Sequence, residues 1–492
     1  MRKAVVAGAA VVALAIVAIA ALPIAEKVFA DNIKSQLDRD GLISAGSVEV
    51  GLLARRITLR EVRSQRTNGI TVARWEVAGL SWPLAELLRG RTPLSGLRLG
   101  DPFSAGKIEV DGLRVTGVDG QGWSVGSAIF EGVDIERFDA DVARGEFQGF
   151  TIGARLIRAV SMRRFEERDV LYTMPFTGNT LGFVSFSGAD LDRGRFGSFA
   201  LSAFEAAGQS SADPSFRLAS LQGEGLDARR ALTVMSEPSW RPGMPVGRLG
   251  LDALKASGFG GELLSRYGIS LGSITVDTSH ESDAVTRSTT RVDGFVLAPP
   301  TGTLEGLQMR VAMQAMDLKE LKLGLACTGW ADRAKGEAGV ERCVLSGPDL
   351  GDLDFSSKLV GADAPFWRAL ESGNLLELYG TKAAFAEAKF SLADKGLLDH
   401  GLRGLAMASG QAPVTARANL ANEIRRYQPP NVLITEELTK LLDTTARFIE
   451  KGGTLTIQAR PDPPLPLERL NTLMRPGPDL VDLLGLTATL SK

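Results

Sequence analysis

Histidine is almost missing from this chain: His280 and His400 are the two in 492 residues. Cysteine is as scarce, with Cys327 and Cys343 and fifteen residues between them. Two distant histidines and two separated cysteines make no zinc pattern, which needs closely spaced ligand pairs. A nucleophile that relies on an imidazole has only those two rings to work with. Neither sign of charge prevails, since Lys+Arg 56 against Asp+Glu 58 leaves −2. That balance does not favour a nucleic-acid partner. No metal, no cofactor and no catalytic residue is expected, and the protein reads as a non-enzyme.

Long apolar runs are absent too, with one exception. Residues Ala4 to Leu22 read AVVAGAAVVALAIVAIAAL, nineteen apolar or small residues after Arg2-Lys3 and before Pro23. As a helix they span roughly 28 Å, close to the hydrocarbon thickness of about 30 Å. The two basic residues favour a cytoplasmic N-terminus, with the bulk of the chain beyond the inner membrane, in the periplasm. A cleaved signal peptide is the other reading, because Val28-Phe29-Ala30 offers small residues at both recognition positions. The run exceeds the usual signal core, and an amphipathic stretch (Ile24, Val28, Ile33, Leu37) continues from it. The expected plan is therefore a transmembrane anchor (1–23), a post-membrane amphipathic helix (24–41), a β-rich body (42–388) and an α+β C-terminal region (389–492).

After Gly41 the periodicity changes from helical to two. Ser47-Val48-Glu49-Val50, Ile57-Thr58-Leu59 and Ile70-Thr71-Val72 alternate like strands with one buried face. Ser81 to Leu88 reads as a short helix with Pro83 in its first turn. A loose unit then recurs, in which apolar–x–apolar meets a turn residue and resumes. It is seen at Ile108–Val115, Ile129–Ile135, Val184–Leu191, Val292–Val296 and Leu345–Leu350. Glycine inside a strand commonly marks a bulge. The fold class expected is mainly β with peripheral helices: a long antiparallel meander bent at these glycines, open as a groove or closed on itself. Ordinary hairpins are the simpler alternative.

Helical patches are expected at Leu226–Ser236, Gly261–Tyr267 and Phe366–Tyr379. Toward the end come Gly396–Met407, Val414–Tyr427 and Thr435–Glu450, the last with Thr435 as N-cap. Short helices at Leu467–Met474 and Pro478–Leu484 precede a final strand at Leu486–Leu490.

Motifs for chemistry are thin. Gly122-Trp123-Ser124-Val125-Gly126 fits G-x-S-x-G, yet no buried strand precedes it and β-like text follows. Gly100 to Lys107 has five residues between its glycines where a phosphate loop has four, and Ile108 replaces the metal-binding hydroxyl. Ser104 and Lys107 fit S-x-x-K without the companion K-T-G. Cys327 and Cys343 sit on what look like two arms of a hairpin, which makes them a disulfide candidate in an oxidising compartment; two buried thiols are the alternative. Arginine crowds residues 55–98, where nine arginines against three glutamates give +6. Within that stretch Arg55, Arg56, Arg60 and Arg63 are candidates for lipid headgroups, or equally for a solvated sheet face.

The apolar start, Ile33-Lys34-Ser35-Gln36-Leu37, Val48-Glu49-Val50, Ile57–Val62 and Ile70–Trp82 resemble the AsmA-like envelope proteins. Size and the single anchor resemble the YdgA-like periplasmic family. Phe390–Leu398, Gly453-Thr454-Leu455-Thr456 and Pro461-Asp462-Pro463-Pro464 are similar to uncharacterised envelope proteins of alphaproteobacteria. The AsmA-like resemblance implies an elongated curved sheet with an apolar concave face that handles lipids. The function expected is an inner-membrane-anchored protein that binds or helps place phospholipid or another envelope lipid. The alternative is a scaffold for envelope assembly, docking a protein through residues 434–450.

Overall fold

In the computed structural model the described residues are 22–492, apart from 40, 42, 65–68, 81–97, 118–120, 142–147, 175–176, 209–213, 242–243, 245, 248, 283, 429–433 and 473–479. The membrane segment expected at Ala4–Leu22 and the helix expected at Ser81–Leu88 lie almost wholly outside them. Among the described residues no helix is long and apolar enough to cross a membrane. The chain forms two compact units, residues 1–213 with 224–244 and residues 214–223 with 245–492. The sequence places a boundary at 388/389 instead. There β18 (Ala384–Asp394) runs straight on, because its alternation continues across that point.

The first unit is an antiparallel meander. Its strands are β1 (Ile43–Ser44), β2 (Ser47–Gly51), β3 (Arg56–Ser64), β4 (Thr71–Ala78), β5 (Phe103–Thr116), β6 (Gly122–Ile135), β7 (Val160–Thr173), β8 (Thr180–Asp192) and β9 (Arg195–Ala207). From β3 to β9 each strand pairs with the next in sequence, and β1 and β2 both pair with β3. Residues 22–39 are helical (α1). Helix α1 lays Ile33, 1% exposed, with Ala30, Phe29 and Leu37 against Ile57, Leu59, Val62, Val72 and Val77. Burying a side chain of that size is worth about 1.5–3 kcal/mol, so the apolar stripe of the helix is the reason that it docks. Two further helices, α2 (Gln148–Ala159) and α3 (Arg229–Met235), belong to this unit. Strand β10 (Phe216–Asp227) contributes residues to both units.

The second unit repeats the plan with β11 (Ala253–Gly260), β12 (Ile269–Ser270), β13 (Ser273–His280), β14 (Val285–Leu297), β15 (Leu321–Asp332), β16 (Glu337–Gly347), β17 (Gly351–Val360), β18, β19 (Thr454–Ala459), β20 (Leu465–Pro466) and β21 (Leu486–Ser491). The order is β11-β13-β14-β15-β16-β17-β18-β19-β21, all antiparallel, with β12 on β14 and β20 on β18. Its helices are α4 (Glu262–Tyr267), α5 (Leu304–Ala315), α6 (Ala364–Ser372), α7 (Leu397–Ser409), α8 (Pro413–Arg426), α9 (Glu436–Lys451), α10 (Leu467–Thr472) and α11 (Leu480–Leu483). Thr435 caps α9 as expected, accepting from the Leu438 N–H at 3.2 Å.

Three of the recurring glycines, Gly112, Gly132 and Gly294, are bends of positive φ inside long strands, whereas the unit Leu345–Leu350 is the hairpin turn between β16 and β17, as the simpler alternative has it. Gly112 (φ 63°) lies inside β5, where the β4–β5 ladder is interrupted between Arg74–Asp111 and Thr71–Arg114 with its register unchanged. Gly294 (φ 68°) sits in β14 where the register with β15 shifts between Val292 and Phe295. Only glycine adopts that conformation without cost. Strands of up to 14 residues can therefore keep twisting without losing the inward face.

Candidate functional site

Register turns the alternation into faces. In the first unit, Leu59, Trp75, Val110, Ala128, Glu167 and Phe186 stand opposite one another from β3 to β8. Ile57, Val77, Ile108, Phe130, Phe165 and Gly188 make a second row on the same side. The reverse side is charged. There Arg74 reaches Glu76 at 2.7 Å, Glu109 at 2.9 Å and Asp111 at 3.1 Å. These three neighbours hold the Arg74 guanidinium pKa well above its usual range, the hydrogen bond that Arg74 donates to Asp111 being the largest cause.

Helix α1 covers the apolar face over β3 and β4. Farther along, the face is a set of partly exposed aromatics. Phe165 and Phe186 stack at 5.0 Å between centroids, and Phe183 meets Phe186 at 6.0 Å. Trp123, on the same face, is 44% exposed. Glu167 lies within this cluster, between Ala128 and Phe186 in register. It is the one ionisable carboxyl on that face among the described residues of β3–β8. Burial alone pushes its pKa up.

In the second unit one row runs Thr290, Cys327, Cys343, Phe355, Phe390, Ile457, Ala488 across β14–β19 and β21. Cys327 and Cys343 face each other in this row and are joined by a disulfide. The two ends of the face are covered. Near one, Phe366 and Trp367 of α6 with Leu467 of α10 cover Ala338, Leu359 and Phe385. Near the other, Ala446, Phe448 and Ile449 of α9 with Ala421 of α8 cover Leu455, Ile457 and Leu392. Between them Leu345 (36%), Phe355 (37%) and Phe390 (37%) remain exposed. A phenylalanine carries about 150–250 Å². The open third of Phe355 and Phe390 thus leaves about 3–4 kcal/mol of burial to whatever covers them, at about 25 cal/mol per Å². Behind this window lies the polar face, with Arg342–Asp354 at 2.8 Å and Lys358–Glu337 at 2.8 Å.

The other sequence candidates fall elsewhere. Arg55 lies in the β2–β3 turn; Arg56, Arg60 and Arg63 project from the polar face of β3, away from Ile57, Leu59 and Val62. Arg60 is paired to Glu49 at 3.2 Å, which lowers the free charge of the patch, while Arg66, Arg89 and Arg91 lie outside the described residues. Ser124 is mid-strand in β6, opposite Arg114 and Leu171, with no strand-to-helix turn. His280 contacts Asp252 at 3.4 Å and Thr286 at 3.4 Å. His400 Nδ1 is 2.7 Å from the Met316 carbonyl, a link between elements. Among the described residues no group of His, Cys, Asp and Glu is arranged to hold a metal. The apolar stripe of α9, which made 434–450 a docking candidate, is buried within its own unit through Leu438, Phe448 and Ile449.

Sequence reasoning did not single out Glu167, Phe186, Phe355 or Phe390. The alternation around Phe355 and Phe390 was legible; the coverage of their face was not, since it depends on where distant helices pack.

A model of a family described only as "Uncharacterized protein" matches residues 344–491, the end of β16 through β21. No curated protein matches the chain.

Proposed function

We propose that this protein binds the acyl chains of lipids on the apolar face of the sheet in each of its two units, and that residues 4–22 hold it at the inner membrane with its body in the periplasm. The window around Phe355 and Phe390 carries this reading. Exposed apolar residues scattered singly need no explanation, whereas contiguous ones do. Here three lie together on a face whose two ends are helix-covered and whose reverse is charged. A flexible hydrocarbon chain matches such a surface because it asks for area and no hydrogen bonds. The disulfide lies in the same row and is at home in an oxidising compartment. The AsmA-like and YdgA-like resemblance of the sequence points the same way. A scaffold docking through 434–450 is the weaker reading, because α9 already uses its apolar side at home.

The test is lipid content. Detergent-solubilised full-length protein should carry phospholipid in native mass spectrometry and should bind cis-parinaric acid saturably. A lipid-free protein that shows no saturable uptake of that probe would overturn the proposal.

A further inference from the structure

The β2–β3 turn and the first turns of α1 make a patch that the sheet faces do not use. Leu53 is 81% exposed, Ile24 70% and Val28 53%. The two pieces are tied together, for the Leu52 N–H donates to Glu26 Oε1 at 2.9 Å. Lys27 on the helix and Arg55 and Arg56 at the turn are all exposed. Farther along α1 the outward side becomes polar, with Asp31, Asn32, Ser35 and Asp38 exposed. Apolar exposure is thus confined to the end of the helix where the nineteen-residue apolar run stops.

Distance fits this placement to a bilayer surface. At about 1.5 Å per residue, Ile24 lies about 3 Å and Val28 about 9 Å beyond Leu22 along the helix axis. The interfacial layer is about 5–7 Å deep on each side of the hydrocarbon. Glu26, and through it the β2–β3 turn, falls at that level.

We propose that this patch is an interfacial contact with an anionic phospholipid bilayer, in which Ile24 meets the acyl boundary and Leu53 lies in the headgroup layer, with Val28 at its outer edge, while Lys27, Arg55 and Arg56 meet the phosphates. The arrangement is that of a surface-lying element, apolar side chains inward and cations at headgroup depth. It rests on the reading of 4–22 as a membrane segment, and it adds a second point of attachment that would fix how the first unit stands on the membrane.

The chain has no free thiol, since both cysteines are bonded. Single-cysteine variants Leu53→Cys and Asp38→Cys of the full-length protein can therefore carry one fluorophore each. In phosphatidylcholine vesicles with added phosphatidylglycerol, the label at 53 should be quenched by nitroxide lipids and shielded from aqueous iodide. The label at 38 should show the reverse. Removing phosphatidylglycerol, or combining R55Q with R56Q, should reduce lipid quenching at 53 by about twofold. A label at 53 that iodide reaches and nitroxide lipids do not would overturn the contact. A label shielded from both would assign the patch to a protein partner and overturn it equally. Resistance to alkaline extraction reports the anchor separately, so loss of the anchor and loss of the contact are distinguishable.

Discussion

Phe355 on β17 and Phe390 on β18 stand directly opposite each other, and each is 37% exposed although both belong to an apolar sheet face. Phe355→Ser or Phe390→Ser should weaken cis-parinaric acid binding by about tenfold, or about 1.4 kcal/mol. About two-thirds of each ring is buried, so stability should fall as well, by about 2–4 kcal/mol, and binding is to be compared at a temperature where both proteins are folded. Parallel fluorescence titration and thermal unfolding check both halves.

Glu167 bears on pH. Its pKa is raised in the folded chain, because burial disfavours the charged form. The folded state then holds its proton to higher pH than the unfolded state does. Stability falls as pH rises from about 4, the ordinary glutamate range. Glu167→Gln removes that dependence. It should stabilise the first unit at pH 7, by on the order of 1 kcal/mol for a half-buried polar group with no partner. Near pH 3.5 it should change little. Urea unfolding at the two pH values measures the difference; an equal effect at both would show that the carboxyl is not strained.

The Cys327–Cys343 bond closes the β15–β16 hairpin. A loop of about fifteen residues is worth about 3 kcal/mol by chain entropy. Cys327→Ser with Cys343→Ser should lower stability by up to that amount. In reducing buffer the wild type should fall to the level of the variant. A wild type indifferent to reductant would contradict this.

Gly112 supports a bend and not a turn. At φ 63° an added Cβ would lie 2.9 Å from the Ala73 Cβ. Gly112→Ala should therefore cost about 1–2 kcal/mol through backbone conformation, with further loss from the clash. Denaturant titration should show it, and a neutral outcome would mean that β4 and β5 separate easily there.

Much of the architecture was legible because its chemistry is local. Ile108 to Val115 alternates visibly, and Thr435 announces its own helix. The antiparallel meander follows from such strands, joined by turns or by the longer connections 79–102, 136–159, 298–320 and 361–383. Two helices escaped notice for an equally local cause. Gln148–Ala159 has two glycines in its first half, and Leu304–Ala315 spreads its apolar residues around the cylinder. The site was harder to see. Phe165-Glu166-Glu167-Arg168-Asp169 reads as a charged run. Register shows that Glu166 serves Arg164 and Arg168 on the polar face while Glu167 turns the other way. Asp169, with φ 53°, is unpaired in both ladders without shifting their register, and Val170 beyond it packs again with Val125 and Ala128 on the apolar side. Pairing of this kind is non-local, and one chain's periodicity does not contain it.

The next-neighbour order of the strands also has a kinetic meaning. From β3 to β9, and again from β13 to β18, every strand finds its partner in the segment that follows it in the chain. Next-neighbour pairing of this sort keeps sequence separation low and speeds folding, although the connections 79–102, 136–159, 298–320 and 361–383 are long and cost more to close. A chain delivered N-terminus first, from a ribosome or through a narrow channel, always has its next partner arriving next. Growth can proceed hairpin by hairpin, with a single unpaired edge moving along behind the point of emergence.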